Sequence, residues 1–341
     1  LAEERADRRT KRQAKRARQI PVLPLYILLI IVFVVYILYQ HIQIVADIAG
    51  IALLLSIIAI VAVELINGFN EEGLVKNIVE LVIVVVAVFA LWTGLKITLH
   101  TQYPIDVVPS CSMLPSLQRG DILLLQGVSG AKGINAVKAP IVNVTSSSYD
   151  SMIQNPGREF VSCVAYLQNG NTAKISQYME PGYSIGLYSA SSYGGSVLPY
   201  SYQNNNTIQY VCGVAQDRFA NGSVASIVTT NAIKIGGTLI QGDRNNTIAV
   251  YATTSKDLFY EEGDSYIVHR IYAVLNVSGN YYFLTKGDNN PGLDIQYGNY
   301  PANLSQIEGK VVASVPYLGY LKLILTNHFT EPAGCNSTIQ N

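Results

Sequence analysis

Two patterns of hydrophobic and polar positions divide the chain near residue 100. Before it, three apolar stretches run from about Leu23 to Tyr39, Ile48 to Ile66 and Leu81 to Leu99. Each approaches the ~20 residues that a helix needs to cross a bilayer. Gly50, Ser56 and Glu64 interrupt the second. After residue 100, short runs rich in Val, Ile, Leu and Tyr alternate with clusters of Gly, Asn, Ser and Asp, which is the pattern of strands and turns. Asp121 to Leu125, Thr247 to Ala252, Tyr266 to Leu275, Tyr281 to Thr285 and Lys310 to Val315 read as strands. Gly120-Asp121, Gly263-Asp264, Ser278-Gly279-Asn280 and Asp288 to Gly292 read as turns. The predicted class is α+β: N-terminal transmembrane helices followed by a mostly antiparallel β domain.

The stretch 128–240 has another texture, rich in Ser, Tyr, Asn and Gly and poor in charge. It reads as a large β-rich insertion, with a long decorated loop as the alternative. The predicted organisation is a basic tail at 1–22, three transmembrane helices within 23–100, and a core made of 101–127 and 241–325. The insertion lies between the two core segments, and a tail follows at 326–341.

Charge and modification signals bear on topology. The chain has no net charge. Its first twenty residues nevertheless hold Arg5, Arg8, Arg9, Lys11, Arg12, Lys15, Arg16 and Arg18. A basic cluster before an apolar run is the mark of a cytoplasmic membrane flank rather than of a nucleic-acid partner. Three crossings then place everything after about His100 outside the cell. The glycosylation pattern N-x-S/T agrees, occurring at Asn143, Asn205, Asn221, Asn245, Asn276, Asn303 and Asn336 and nowhere before residue 100. The expected location is therefore the cell membrane, multi-pass, with an exterior glycosylated domain. The four cysteines are Cys111, Cys163, Cys212 and Cys335. An exterior compartment permits disulfides, and Cys163 with Cys212 is the preferred pair, since both lie in the insertion. No Cys or His spacing suggests a metal site, so no metal or other cofactor is expected.

The chemistry concentrates in three islands. The first is Pro109-Ser110-Cys111-Ser112-Met113-Leu114-Pro115, where flanking prolines restrict the backbone around a candidate nucleophile, Ser112. The Cys111 thiol is a weaker candidate in the same run. The second is Ile267-Val268-His269-Arg270, where the two-residue strand period turns His269 away from its neighbours. The third is Lys286-Gly287-Asp288-Asn289-Asn290, followed by Asp294. A serine hydroxyl attacks only when a base takes its proton, and His269 is the best base in the chain. Lys286 is its rival, because a desolvated lysine can be neutral near pH 7. Asp294 or Asp288 would orient the imidazole. The Ser112 backbone N–H and the Ser110 hydroxyl are the nearest donors for an oxyanion. Each residue also has a bland reading: a solvated turn serine, a core histidine satisfied by a carbonyl, and turn-forming aspartates.

These boxes resemble the type I signal peptidase family, in its archaeal and endoplasmic-reticulum branch. The family's S-x-S-M-x-P box stands as Ser110 to Pro115, and its G-D-I strand as Gly120-Asp121-Ile122. Its histidine box is Val268-His269-Arg270, where bacterial relatives carry lysine, and its K-G-D-N-N box is Lys286 to Asn290. The closing segment is Gly309 to Val312 and Pro316 to Tyr320. The resemblance covers about 100–127 and 241–322. It departs from the family at Leu293, where a second aspartate is common, and in the insertion and the three apolar stretches.

By this resemblance Ser112 is the nucleophile, His269 the general base, Asp294 the orienting acid and Asp288 a supporting carboxylate. It implies a membrane-bound serine endopeptidase that removes signal peptides after small residues, as in A-x-A. Ile105, Val107, Ile122 and Leu124 are then candidates for the substrate wall. The implied partners are signal peptides of preproteins and membrane lipid, with the secretion translocon as a further candidate. A glycosylated accessory protein that kept the fold without the activity is the alternative.

Overall fold

The computed structural model describes residues 21–39, 48, 52, 55–63, 74–153, 165–168, 171–173, 200–204, 208–325, 331–332 and 334–340. The basic cluster, part of the second apolar stretch, Cys163 and Asn205 lie outside them, so the Cys163–Cys212 pairing does too. The chain divides into two compact units, Leu1–Leu95 with Pro316–Leu318, and Lys96–Val315 with Gly319–Asn341.

The first unit holds helix α1 (Leu23–Tyr39) and most of α2 (Leu74–Leu99). Among the described residues no helix is long and apolar enough to cross a membrane. The expectation of three N-terminal transmembrane helices is therefore corrected, and the exterior placement obtained by counting crossings loses its basis. The reason is one of length. Helix α1 has 17 residues, which at 1.5 Å each span about 26 Å against a hydrocarbon core of ~30 Å. In α2 the uncharged run is only Leu81 to Leu95, with Glu80 before it and Lys96 after it.

The second unit is mostly antiparallel sheet. One sheet runs in the order β1 (Ile105–Val107), β2 (Ile122–Gln126), β14 (Ile307–Val315), β10 (Ile248–Ala252), β11 (Tyr266–Val277), β12 (Asn280–Lys286), β13 (Ala302–Asn303). Strand β3 (Ile141–Val144) adds to β11 in parallel, so part of the stretch 128–240 belongs to this sheet. The other sheet runs β15 (Ser337–Gln340), β7 (Ile208–Phe219), β8 (Val224–Ile235), β4 (Ala165–Gln168), β5 (Asn171–Ala173). Strands β6 (Tyr200–Asn204) and β9 (Thr238–Gln241) pair with β7 and β8. The C-terminal segment, expected as a tail, thus ends in a strand against β7, with Ser337 opposite Phe219.

Among the described residues three apolar clusters hold the unit together. One lies between the sheets and joins Ile208, Tyr210, Ile233 and Ile235 to Leu275, Val277, Leu284 and Ile295. The second covers the far side of the first sheet, around Ile271, Val274 and Phe283. Strand β11 is consequently covered on both faces, which is why its sequence is nearly continuously apolar. The third cluster sits beneath the serine run and joins Val108, Met113, Leu117, Leu123 and Leu125 to Val250 and Val268. Met113 is completely buried, which is worth about 2 kcal/mol and anchors the run beside Ser112.

Candidate active site

Ser112 sits in the connection between β1 and β2. The two strands pair with Ile105 opposite Leu124 and Val107 opposite Ile122. The ladder continues into the loop through Val108 N–H to Asp121 O at 3.0 Å and Gly120 N–H to Val108 O at 2.9 Å. The Asp121 carboxylate accepts from Gln118 N–H, and Arg119 Nε donates to Pro109 O. The loop ends are therefore closed, and Met113 points into the core while Ser112 stays half-buried at the surface of the site.

His269 comes from the middle of β11, opposite Ala249 of β10. Asp294 opens a 3₁₀ turn, Asp294–Tyr297, whose four residues are buried. These three side chains form one line. Ser112 Oγ lies 2.9 Å from His269 Nε2, and His269 Nδ1 lies 2.7 Å from Asp294 Oδ2. A carboxylate only accepts, so Nδ1 carries the hydrogen and Nε2 is left to accept from the serine hydroxyl. Tyr251 of β10 donates to the same Asp294 oxygen at 2.9 Å.

Burial alone would raise the Asp294 carboxyl. The His269 imidazole beside it, with hydrogen bonds from His269 and Tyr251 and the Thr285 hydroxyl close by, instead holds it below its ordinary value. Asp294 Oδ1 has no hydrogen-bond partner among the described residues, and the Thr285 hydroxyl donates to Tyr251 Oη at 3.4 Å. Burial, with the Asp294 charge, pushes the Tyr251 hydroxyl well above its ordinary value, so it remains a donor.

The other predicted residues are placed as follows. Ser110 Oγ lies 3.2 Å from Ser112 Oγ, within reach of an oxygen on the carbon that Ser112 would attack. Asp288 does not touch His269. Both of its oxygens are taken by Arg270, at 2.7 Å from Nε and 2.6 Å from Nη2. Arg270 also donates to Asn246 O and Ser116 Oγ. Because Arg270 follows His269 on the strand, this pair lies on the opposite face of β11. Lys286 is opposite Arg270 on β12, and its ammonium donates to the Gly287 and Asn290 carbonyls rather than to Ser112. Burial lowers it to about 8, while Asp288 and Asp294 pull the other way. Of the wall candidates, Ile105, Ile122 and Leu124 share one face of the ladder and keep exposed surface. Val107 is buried under Gly319, where a Cβ would stand 2.4 Å from its methyl carbon.

Cys111 is joined to Cys335 in a disulfide, which removes its thiol as a nucleophile. Three contacts were missed by sequence reasoning. Tyr251 supports Asp294 from a strand chosen only for its apolar run. Asn289 donates its backbone N–H to Ser112 O at 2.7 Å. Gly287 passes so close that a Cβ would sit 2.7 Å from the same carbonyl. The composition of the turn at Gly287 to Asn290 was the available signal, since glycine permits such an approach.

No family model matches the chain, and no solved structure matches it significantly. Among curated proteins it is similar to the signal peptidase complex catalytic subunit SEC11 of Chaetomium globosum. The two are 34% identical over 93 residues, which is 26% of this chain and 50% of that protein. The chain thus spans about half the length of the curated relative it matches.

Proposed function

We propose that this chain is a serine endopeptidase that cleaves signal peptides from exported preproteins after small residues of the A-x-A kind. The observation that carries the reading is the unbroken line Ser112 Oγ–His269–Asp294, with contacts of 2.9 and 2.7 Å. The partial similarity to a signal peptidase catalytic subunit supports the choice of substrate class. It also supports a place in the secretory pathway, with signal peptides as the binding partners.

In the first half-reaction Ser112 Oγ bonds to the scissile carbonyl carbon, and its proton passes to His269 Nε2. Asp294 holds the imidazole in the reactive tautomer and stabilises the imidazolium. The Ser112 N–H and the Ser110 hydroxyl donate to the oxyanion. The carbon–nitrogen bond then breaks as Nε2 returns the proton to the leaving amine, which gives an acyl-enzyme. In the second half a water gives its proton to Nε2 as its oxygen bonds to the acyl carbon; the bond from Oγ to that carbon then breaks as Nε2 returns the proton to Ser112 Oγ. An extended peptide can lie along the β1–β2 ladder with alternate side chains against Ile105, Ile122 and Leu124.

Lys286 is directed to carbonyl oxygens and has no contact with Ser112 among its hydrogen bonds, so it is not assigned as the base. The test is cleavage of a preprotein carrying an A-x-A site by the full chain and by Ser112→Ala. The proposal expects a single cut after the second alanine and none by the variant. An uncut substrate panel would favour an accessory protein with the same fold.

A further inference from the structure

The segment from Gly334 to Gln340 converges on the serine loop by two separate ties. The first is covalent: Cys111, next to the nucleophile, is joined to Cys335 across 224 residues of sequence. The second runs through Asn289, which is 1% exposed. Its backbone N–H holds Ser112 O at 2.7 Å. Its side-chain amide donates to Cys111 O at 3.2 Å, Gly334 O at 3.2 Å and Ser337 O at 3.0 Å. Its Oδ1 accepts from Ile339 N–H at 2.7 Å. Two amide hydrogens are thus shared among three carbonyls, one on the serine loop and two on the C-terminal segment. That segment is itself fixed to the second sheet, through its pairing with β7 and through Ala220 N–H to Asn336 O at 2.7 Å.

We infer that the C-terminal segment, residues 334–340, is a positioning element for the nucleophile, acting through Asn289 and the Cys111–Cys335 bond. It does not touch the reacting atoms. Through Asn289 it fixes the carbonyls of Cys111 and Ser112, on either side of the Ser112 α-carbon, and with them the direction in which Ser112 Oγ points. Only an amide fits at position 289. An aspartate would set carboxylate oxygens against three carbonyl oxygens, and an alanine would leave those carbonyls and the Ile339 N–H without this partner. The kinetic half of the inference rests on the proposed peptidase function, and the structural half does not.

The test uses the full chain, oxidised and reduced, with Asn289→Ala, Asn289→Asp and Cys335→Ser. Amide hydrogen exchange is read at Leu114, Leu117 and Asn289, whose N–H groups bond within or onto the serine loop, and along β11 as an internal reference. The expected result is at least about a tenfold loss of protection at the loop amides in each variant, with β11 unchanged, as a local opening requires. On an A-x-A peptide kcat should fall about tenfold to a hundredfold while KM stays within about twofold, the signature of a misplaced nucleophile. Unchanged loop protection, or an equal loss in β11, overturns the inference. So does a change confined to KM. If the wild-type chain cuts nothing, the peptidase reading fails, and the exchange result alone decides the positioning role.

Discussion

His269 and Asp294, 25 residues apart in sequence, meet through one buried bond of 2.7 Å from Nδ1 to Oδ2. Their side chains are 4% and 2% exposed. In that setting the bond fixes both the tautomer and the angle of the ring. Asp294→Asn keeps the shape but can offer its NH₂ to Nδ1, which would move the imidazole hydrogen to Nε2 and block it as a base. The expected loss in kcat is about 10³ to 10⁴-fold, measured by steady-state cleavage, with KM little changed. Linkage adds a stability effect. A carboxyl held low in the folded state contributes stability above its unfolded value of about 3.9. That contribution is lost as pH falls through the lower folded value. The asparagine variant should lack this acid-side dependence.

Tyr251 should act on the same carboxylate more gently. Tyr251→Phe removes one of the hydrogen bonds that lower Asp294. The predicted cost is about 1–2 kcal/mol of stability, read by denaturant titration. The acid-unfolding midpoint should move to higher pH, because the Asp294 carboxyl is held down less strongly.

Asp288 is expected to matter for folding and little for chemistry. Its two bonds to Arg270 are among side chains only 6% and 11% exposed. Asp288→Ala would leave the guanidinium desolvated without its counter-charge, at a cost of about 3 kcal/mol. A lowered melting temperature with near-normal kcat per folded molecule is the predicted outcome. A specific loss of kcat of about 10³-fold would instead place Asp288 in the proton relay.

Lys286 offers a pH signature of its own. Its folded value is about 8, lowered by burial, against about 10.4 in an unfolded chain. Between those values the unfolded state binds more protons, so stability rises with pH across this window. Lys286→Met should remove that rise, seen as a smaller gain in denaturant midpoint between pH 7.5 and 10. It should keep most of the wild-type kcat. Loss of activity with the fold intact would reinstate lysine as the base.

Much of the site was legible because its parts are local in sequence. Prolines frame Ser112, a two-residue period turns His269 away from its neighbours, and a turn-forming run leads to Asp294. The strands at Ile248–Ala252 and Tyr266–Val277 could be read for the same reason, since their apolar runs are bounded by turns. What was not legible depends on pairing between distant segments. Nothing near Asp288 announces that Arg270 will take both its oxygens, because that follows from the register of β11 against β12. The parallel addition of β3 to β11 and the return of Ser337–Gln340 to β7 are likewise long-range choices. The N-terminal stretches misled for a different reason. Their apolar lengths only approach the ~20 residues of a span, and the 17 residues of α1 and the charge at Lys96 stop short of it.

We propose above all that Ser112, activated by His269, hydrolyses a peptide bond after a small residue. The most direct measurement compares the full wild-type chain with Ser112→Ala and His269→Ala on one A-x-A preprotein, with the products identified by mass. The expected result is a single cut after the second alanine by the wild type and a loss of at least about 10³-fold in each variant. Cleavage that survives His269→Ala at a comparable rate would contradict it.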